Sequence, residues 1–528
     1  MTFVADAGMA LQYARGLREF YRAPVDLSDP TGAIRAMLAN RETSFVRMLH
    51  SAVWNNPVSP YLALLRHAGL GRPELEALIA REGVEVALRA LYDAGVYVTL
   101  DEFKGRTPIR RGSFELDAPA HAFDNPLARH DVTSRSGGSR SAGTRLVVDL
   151  RDILNELPAR YLFKQAHGLL DRPSAAWWPA PPALGGIKNT AALLKLGIPI
   201  LRWFSPTQPL FGRTAGKSAV LAITTIVGAR LAGHHLPWPE HVPIADAGII
   251  ARWLAEQTAK GLRLQVGAGV SRAMRICQEA RRLGLDISGH TLRASAEPLT
   301  PAKAQLIRDV GCRYCSNYTM TESGRLGVSC GDEGVPDDMH LLTYRMAVLP
   351  QPRVLQGWPE PVGALHVTVF ADRMTRVMLN VETGDYGRLE RRSCGCPLGA
   401  AGLDLHLHTI RSYEKLTSAG MHFMGVDLID LIETALPGRF GGGPTDYQFV
   451  EQEEQGETRV KLVINPTVGP LAEKEVQAYV LRELERRTEA GRLMTDIWRG
   501  HDMLQIERRP PYLTSAAKIQ TLHVLKSR

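Results

Sequence analysis

The segment Asn317-Tyr318-Thr319-Met320-Thr321-Glu322-Ser323-Gly324 follows an apolar helical pattern and a strand-like run around Arg313-Tyr314-Cys315. A polar stretch carrying one carboxylate therefore comes directly off a buried strand. Outward from it, between roughly Thr133 and Arg411, short apolar runs alternate with helical patterns. Leu146-Val147-Val148, Val220-Leu221-Ala222-Ile223 and Leu365-His366-Val367-Thr368-Val369-Phe370 are such runs, and Ser271 to Leu283 has helical spacing. That alternation predicts an α/β fold of layered sheets and helices.

The first hundred residues read as helices, with Phe45, Met48, Leu49, Val53, Leu62 and Leu65 at helical spacing and Pro57 and Pro60 breaking the run. Beyond Arg411 the pattern changes. Val426 to Leu436 is helical, Pro437 to Gly443 is a Gly-rich break, and Arg459 to Ile464 alternates like a half-buried strand. A helix is expected from Leu471 to about Ala490, with a solvated face of Glu473, Glu475, Arg482 and Arg486. A chain of 528 residues exceeds the ~250–300 that one core supports. The expectation is a large N-terminal domain over residues 1–410, its first hundred or so helical, and a small mobile α+β C-terminal domain over residues 411–528.

Hydrophobic residues make up 45% of the chain and charged residues 22%, which places it among ordinary globular proteins. Its net charge of +8 is dispersed among acidic residues with no basic run, so nucleic acid is not an expected partner. The start carries Asp6, Gln12 and Arg15 in a helix-like pattern and lacks the basic-then-apolar order of a secretory signal, which predicts a cytoplasmic protein. The most apolar stretch, Ser218 to Gly233, is shorter than the ~20 residues of a membrane span and includes Arg230. It is expected to be a buried strand and helix. Six cysteines give no disulfide framework, yet Cys312 with Cys315 and Cys394 with Cys396 are closely spaced, so metal binding enters consideration.

Two loops could cradle phosphate. Ser136-Gly137-Gly138-Ser139-Arg140-Ser141-Ala142-Gly143-Thr144-Arg145 combines glycines that admit close backbone approach with hydroxyl and guanidinium donors. By composition it is equally a surface loop. Gly212-Arg213-Thr214-Ala215-Gly216-Lys217-Ser218 resembles a P-loop but has three residues between its glycines where four are needed.

The Tyr-x-x-Thr-Glu core at Tyr318 to Glu322 is similar to the signature of adenylate-forming enzymes, the superfamily of acyl-CoA ligases, peptide-synthetase adenylation domains and luciferases. Ala296-Glu297-Pro298-Leu299-Thr300 resembles its adenine-contacting Gly-x-Glu-Pro-Leu segment, and Thr383-Gly384-Asp385 its ribose-holding element. Arg411 and Gly420 match the ends of its hinge motif, and Leu513-Thr514-Ser515-Ala516-Ala517-Lys518 its Thr-x-x-Gly-Lys segment. The cysteine pair between Asp385 and Arg411 brings the chain nearest the phenylacetate–CoA ligase branch.

The resemblance implies ATP-dependent activation of a small carboxylic acid as acyl-AMP, with transfer to coenzyme A or a carrier-protein thiol. An amine acceptor, a nucleotidyl transferase of the coenzyme F390 synthetase type and a non-catalytic ligand-binding relative remain alternatives. It also implies roles. Lys518 bridges carboxylate and phosphate, Thr321 contacts the α-phosphate, Glu322 holds Mg2+ and Arg411 donates to the ribose. Ser136, Gly137, Gly138, Ser139, Arg140 and Thr144 bind the polyphosphate, while Ala296, Glu297, Pro298, Asn317, Tyr318 and Asp385 contact the nucleoside. His234 and His235 fall where the superfamily often lines its acyl pocket. Cys330, His340, Cys394 and Cys396 match places where this branch can bind a structural zinc ion, and a homodimer is the family-based expectation. The chain departs from the pattern at Arg140, Ser141 and Ala142, at Tyr413 and Glu414 in the hinge, and at Ala517 before the lysine.

Overall fold

The computed structural model describes residues 2–135, 145–181, 183–207, 215–331, 334–355, 361–371, 373–413, 417–418, 421–422, 425–454, 457–487, 504–514 and 517–525. Helices dominate up to Phe103, as the spacing of apolar residues requires. Local signals set their ends. Asp29 accepts from the Gly32 N–H at 2.7 Å ahead of the helix Pro30–Ala39, whose first residue needs no amide partner. At the short helix Leu100–Phe103, Thr99 and Glu102 form a reciprocal capping box. The residue that follows is Lys104, and the box fixes where it emerges.

The strands in chain order are β1 (Ile109–Arg111), β2 (Phe114–Leu116), β3 (Val132–Arg135), β4 (Arg145–Val148), β5 (Ser174–Trp177), β6 (Ile200–Ser205), β7 (Pro239–His241), β8 (Gln265–Gly269), β9 (Thr291–Ser295), β10 (Arg313–Met320) and β11 (Gly324–Val328). There follow β12 (Met339–Leu341), β13 (Met346–Arg353), β14 (Val362–Val369), β15 (Val381–Arg391), β16 (Leu405–Ser412), β17 (Thr417–Ser418), β18 (Met421–His422), β19 (Tyr447–Glu454), β20 (Glu457–Ile464), β21 (Leu504–Arg508) and β22 (Leu522–Leu525).

Among the described residues, twelve strands form one sheet in the order β13-β14-β15-β16-β12-β11-β10-β9-β8-β5-β6-β7. From β7 to β10 neighbouring strands are parallel, and from β10 to β13 they are antiparallel. The parallel half is covered by helices such as Ala247–Ala259, Val270–Arg282 and Pro301–Asp309, whose apolar faces share a core with β8 and β9. The antiparallel half packs on the N-terminal helices, with Phe45 against Phe370 after β14 and the Tyr61 hydroxyl donating to the Val377 carbonyl between β14 and β15. The α/β expectation holds, and the sheet changes character at β10, the strand that carries Tyr318.

One expected element is corrected. Val220-Leu221-Ala222-Ile223 is no strand but part of the single helix Ala215–Leu231. A four-residue apolar run has no period of its own, and here the helical stripe Leu221, Ala222, Thr225, Ile226 and Ala229 is buried while Val220, Ile223 and Val227 face outward. The inner stripe lies on the helix Thr2–Arg22, where the Tyr13 hydroxyl meets Thr225 Oγ1 at 2.8 Å.

After β16, residues from Gly425 onward build a separate four-stranded sheet, β21-β20-β19-β22. Its core joins Leu428, Leu431, Ile432 and Leu436 to Phe449, Leu462 and Val480. The expected long helix runs over Glu473–Arg487 in the described residues. No helix among the described residues is long and apolar enough to cross a membrane.

Candidate active site

A cleft of about 310 Å³ opens at the carboxyl ends of β9 and β10, where the parallel and antiparallel halves of the sheet meet. Strand ends at such a change of direction expose backbone groups that the ladder no longer uses, which makes them common ligand sites. The size suits a nucleotide-sized or smaller ligand. It is lined by Ala296, Glu297 and Pro298 after β9, and by Asn317, Tyr318, Thr321 and Glu322 on and after β10. Asp385 on β15, Arg411 on β16 and Lys518 before β22 complete it. Ten residues named from sequence alone thus face one cavity.

Their contacts are specific. The Tyr318 hydroxyl donates to Asp385 Oδ2 at 2.8 Å, and burial pushes its pKa well above the ordinary phenol value. Arg411, buried on β16, donates through Nη1 to Asp337 Oδ2 at 3.0 Å. Asp337 also accepts from the backbone N–H groups of Thr409 and Ile410, which holds the guanidinium's anchor rigid. Glu322 is only 4% exposed, yet Lys104 Nζ donates to its Oε1. Burial pushes the carboxyl pKa up, but Lys104 outweighs that and holds it below the usual carboxylate range.

Lys518 reaches the cleft from the C-terminal sheet, its Nζ 3.0 Å from the Ala296 carbonyl oxygen. The loop that bears it is closed by the Thr514 N–H to the Lys518 carbonyl at 3.0 Å and by Ala517 in left-handed backbone, φ 59°. Ser271 docks this loop. It donates through its hydroxyl to Glu297, while the Ile519 N–H donates to Ser271 Oγ at 3.1 Å. Also on the cleft wall, Glu433 pairs with Lys303 at 2.6 Å and accepts from Thr300, and farther out Asp446 takes Arg275 and Gln278, each at 3.0 Å.

Beside the cleft, the ligand atoms of Cys330, His340, Cys394 and Cys396 lie within 4.8 Å of one another. His340 turns Nδ1 to the Leu403 carbonyl and leaves Nε2 facing Cys394 and Cys396 at 3.3 and 3.2 Å. Hydrogen bonding from Cys330, and then from His340 and Gly399, holds the Cys396 thiol far below its ordinary value, at about 3. Three soft sulfurs and one imidazole in a closed cluster are the donor set that zinc selects. Cys312 and Cys315 are buried and form no such cluster among the described residues.

Other expected positions lie elsewhere. His234 packs on the Tyr21 ring with centroids 5.1 Å apart, and neither it nor His235 lines the cleft. Ser136, Gly137, Gly138, Ser139, Arg140 and Thr144 lie outside the described residues, as do Glu414 and Gly420. Tyr413 is buried and donates to Glu382. Sequence reading missed Lys104, Ser271, Asp337 and Glu433. The first two stand 218 and 26 residues from the carboxylates they bind, so no spacing pattern could mark them.

No family model matches the sequence, and no curated protein matches it. Among solved structures, the chain is similar to 2-hydroxyisobutyryl-CoA ligase in complex with 2-HIB-AMP and CoA, at 15% identity over 92% of this chain and 89% of that one, TM-score 0.44. It is similar to O-succinylbenzoate coenzyme A synthetase from Bacillus subtilis in complex with ATP and magnesium ion, at 10% identity over 82% and 80%, TM-score 0.45. ATP-bound MatB from Rhodopseudomonas palustris gives 11% identity over 92% and 91%, TM-score 0.44. These values are too low to carry a function from one chain to another.

Proposed function

We propose that this chain joins ATP and a carboxylic acid into an acyl-adenylate, releasing pyrophosphate, and then passes the acyl group to a thiol, that of coenzyme A or of a carrier protein. The observation that supports this most is Lys518. Its ammonium group comes from the C-terminal sheet into the same cleft as Tyr318, Glu322, Asp385 and Arg411.

In the first step a carboxylate oxygen attacks the α-phosphorus, and the bond from that phosphorus to the bridging oxygen of pyrophosphate breaks. Two anions are forced together, so fixed positive charge contributes most of the stabilisation. Lys518 would bridge the attacking carboxylate and the α-phosphate, and Thr321 would contact the α-phosphate. Tyr318 would pack on the adenine, while Asp385 accepts from the ribose and Arg411, anchored by Asp337, donates to it. Glu322 would hold Mg2+, which neutralises phosphate charge when bound. Lys104 keeps that buried carboxyl ionised, the form that offers an oxygen to a cation, and would have to give way to the metal there. Cys330, His340, Cys394 and Cys396 would hold a structural zinc ion that ties β12 to the loop after β15.

On this reading residues 1–410 bind the nucleotide and residues 411–528 form the lid that delivers Lys518. Acid-dependent exchange of labelled pyrophosphate into ATP tests it. Lys518→Ala should abolish exchange and leave ATP binding largely intact, and Glu322→Gln should greatly impair exchange. ATP binding without exchange for any acid would overturn adenylation and favour a nucleotidyl transferase that keeps AMP on its acceptor.

A further inference from the structure

A second, smaller pocket is lined by nine residues, among them Arg160, Phe163, Lys164, Asn189, Arg293 and Arg325. Its free space is about 10 Å³, room for a single water-sized group. Four of the nine are cations, and all four are more than nine-tenths buried, at 8%, 3%, 9% and 7% exposure.

Little answers their charge. Arg160 donates to Glu156 Oε2 at 2.9 and 2.7 Å, but that carboxylate also pairs with Arg345 at 2.9 Å. Lys164 donates to a neutral oxygen, that of the Gln265 amide. Arg293 meets the Ser174 hydroxyl at 3.2 Å, while its Nε and the Nε of Arg325 have no hydrogen-bond partner among the described residues. Unmatched buried charge is costly, and its concentration in one place calls for a counter-ion. Burial pushes Arg293 down to about 10 and Arg325 to about 9, and lowers Lys164 as well.

The sequence makes room for the cluster. A Cβ on Gly267 of β8 would lie 2.0 Å from Trp178 Cζ2 and 2.7 Å from Arg293 Nη2. Only glycine there lets Arg293 lie against the Trp178 indole, 5.2 Å from the ring centroid. The cluster also has a fixed relation to the cleft. Arg325 on β11 follows Glu322 by three residues, and Arg293 on β9 precedes Ala296 by three. Three residues of fully extended chain span at most about 10 Å, so Arg293 lies within that of Ala296, and Arg325, across the turn 321–323, within that of Glu322.

We propose that this cluster receives a second anionic group on the acid that the chain activates, so that the substrate is a dicarboxylate or an acid bearing a phosphate or sulfonate. The inference rests on the adenylation reading. The space is small because the side chains that would bind now fill it. An entering anion draws Lys164 off Gln265 and collects the two free Nε–H groups, replacing neutral or absent partners with charge-assisted hydrogen bonds.

The test uses the intact chain and matched acids that differ only in the distal group, methyl, carboxylate, phosphate or sulfonate, over several spacer lengths. In pyrophosphate exchange, one dianionic acid should exceed its methyl partner by about 100-fold or more in kcat/KM, because the monoanion leaves buried guanidinium groups unpaired. The preferred distal group distinguishes carboxylate from phosphate or sulfonate. Arg325→Met should lower that ratio at least about tenfold, and Arg325→Lys should lower it less. Calorimetric binding of the same acids without ATP gives a readout independent of catalysis. Saturable binding of a dianion that Arg325→Met weakens would uphold the anion site even if no exchange occurred, and adenylation alone would then fail. Exchange with methyl-ended acids as good as or better than with every dianion would overturn the proposal while adenylation stood, and it needs no variant. Neither exchange nor dianion binding would overturn both.

Discussion

Ala296 and Ala517 hold φ values of 71° and 59°, in the left-handed region that glycine enters freely and alanine does not. Both lie next to Lys518, whose ammonium touches the Ala296 carbonyl, and Arg272 reaches the Ala517 carbonyl at 3.4 Å. Ala517→Gly should therefore stabilise the fold by about 1 kcal/mol, less what glycine adds to unfolded-chain entropy, as read by denaturant melting. A second prediction concerns Lys104 and Glu322. The folded carboxyl pKa is depressed, so its contribution to stability is complete above the ordinary carboxylate range and is lost as pH falls through the folded value. In Lys104→Met the burial remains and the counter-charge goes, so that pKa rises. The acid limb of pyrophosphate exchange should move to higher pH, and an unmoved limb would show that Lys104 does not control the carboxylate. At this scale the sequence was legible wherever residues sit in a short motif, as Tyr318 and Glu322 do. Lys104 was illegible because its role comes from a capping box that aims it across the fold.

Among elements, the helical reading of Ser271 to Leu283 succeeded because thirteen residues, Val270–Arg282, carry a sustained apolar face. The run at Val220 was misread because four apolar residues fit either period, and only its contact with the helix Thr2–Arg22 selects one. The cysteine cluster shows a different limit. Cys394 and Cys396 are visible as a pair by spacing, whereas Cys330 and His340 were named with them only through the family resemblance, because the pairing of β12 with β16 that brings His340 near is not encoded in spacing. Element analysis of the purified chain should find one zinc per molecule. Cys394→Ser should lose it and melt at a lower temperature, since a site that closes only in the folded chain contributes its binding energy to folding. Full retention of metal by that variant would exclude Cys394 as a ligand.

For the whole molecule, the C-terminal segment is seated by polar contacts, Glu433 with Lys303 and Thr300, and Asp446 with Arg275 and Gln278. Removing one partner of a buried pair costs about 3 kcal/mol or more, because the other charge is stranded. Glu433→Gln should thus slow exchange strongly while ATP binding changes little, and an unaltered rate would show that this contact does not hold Lys518 in place. None of this was readable beforehand, since Thr300 and Glu433 are 133 residues apart. The sheet order has a consequence for how the protein is made. β16 lies between β15 and β12, so the two halves of the twelve-stranded sheet share no ladder until residues 405–412 have been synthesised. Until then β12 and β15 each leave the ribosome with an open edge, and a growing chain with open edges pairs readily with its neighbours. Translation speed between residues 341 and 412, and the chaperones waiting there, should set the yield of soluble protein.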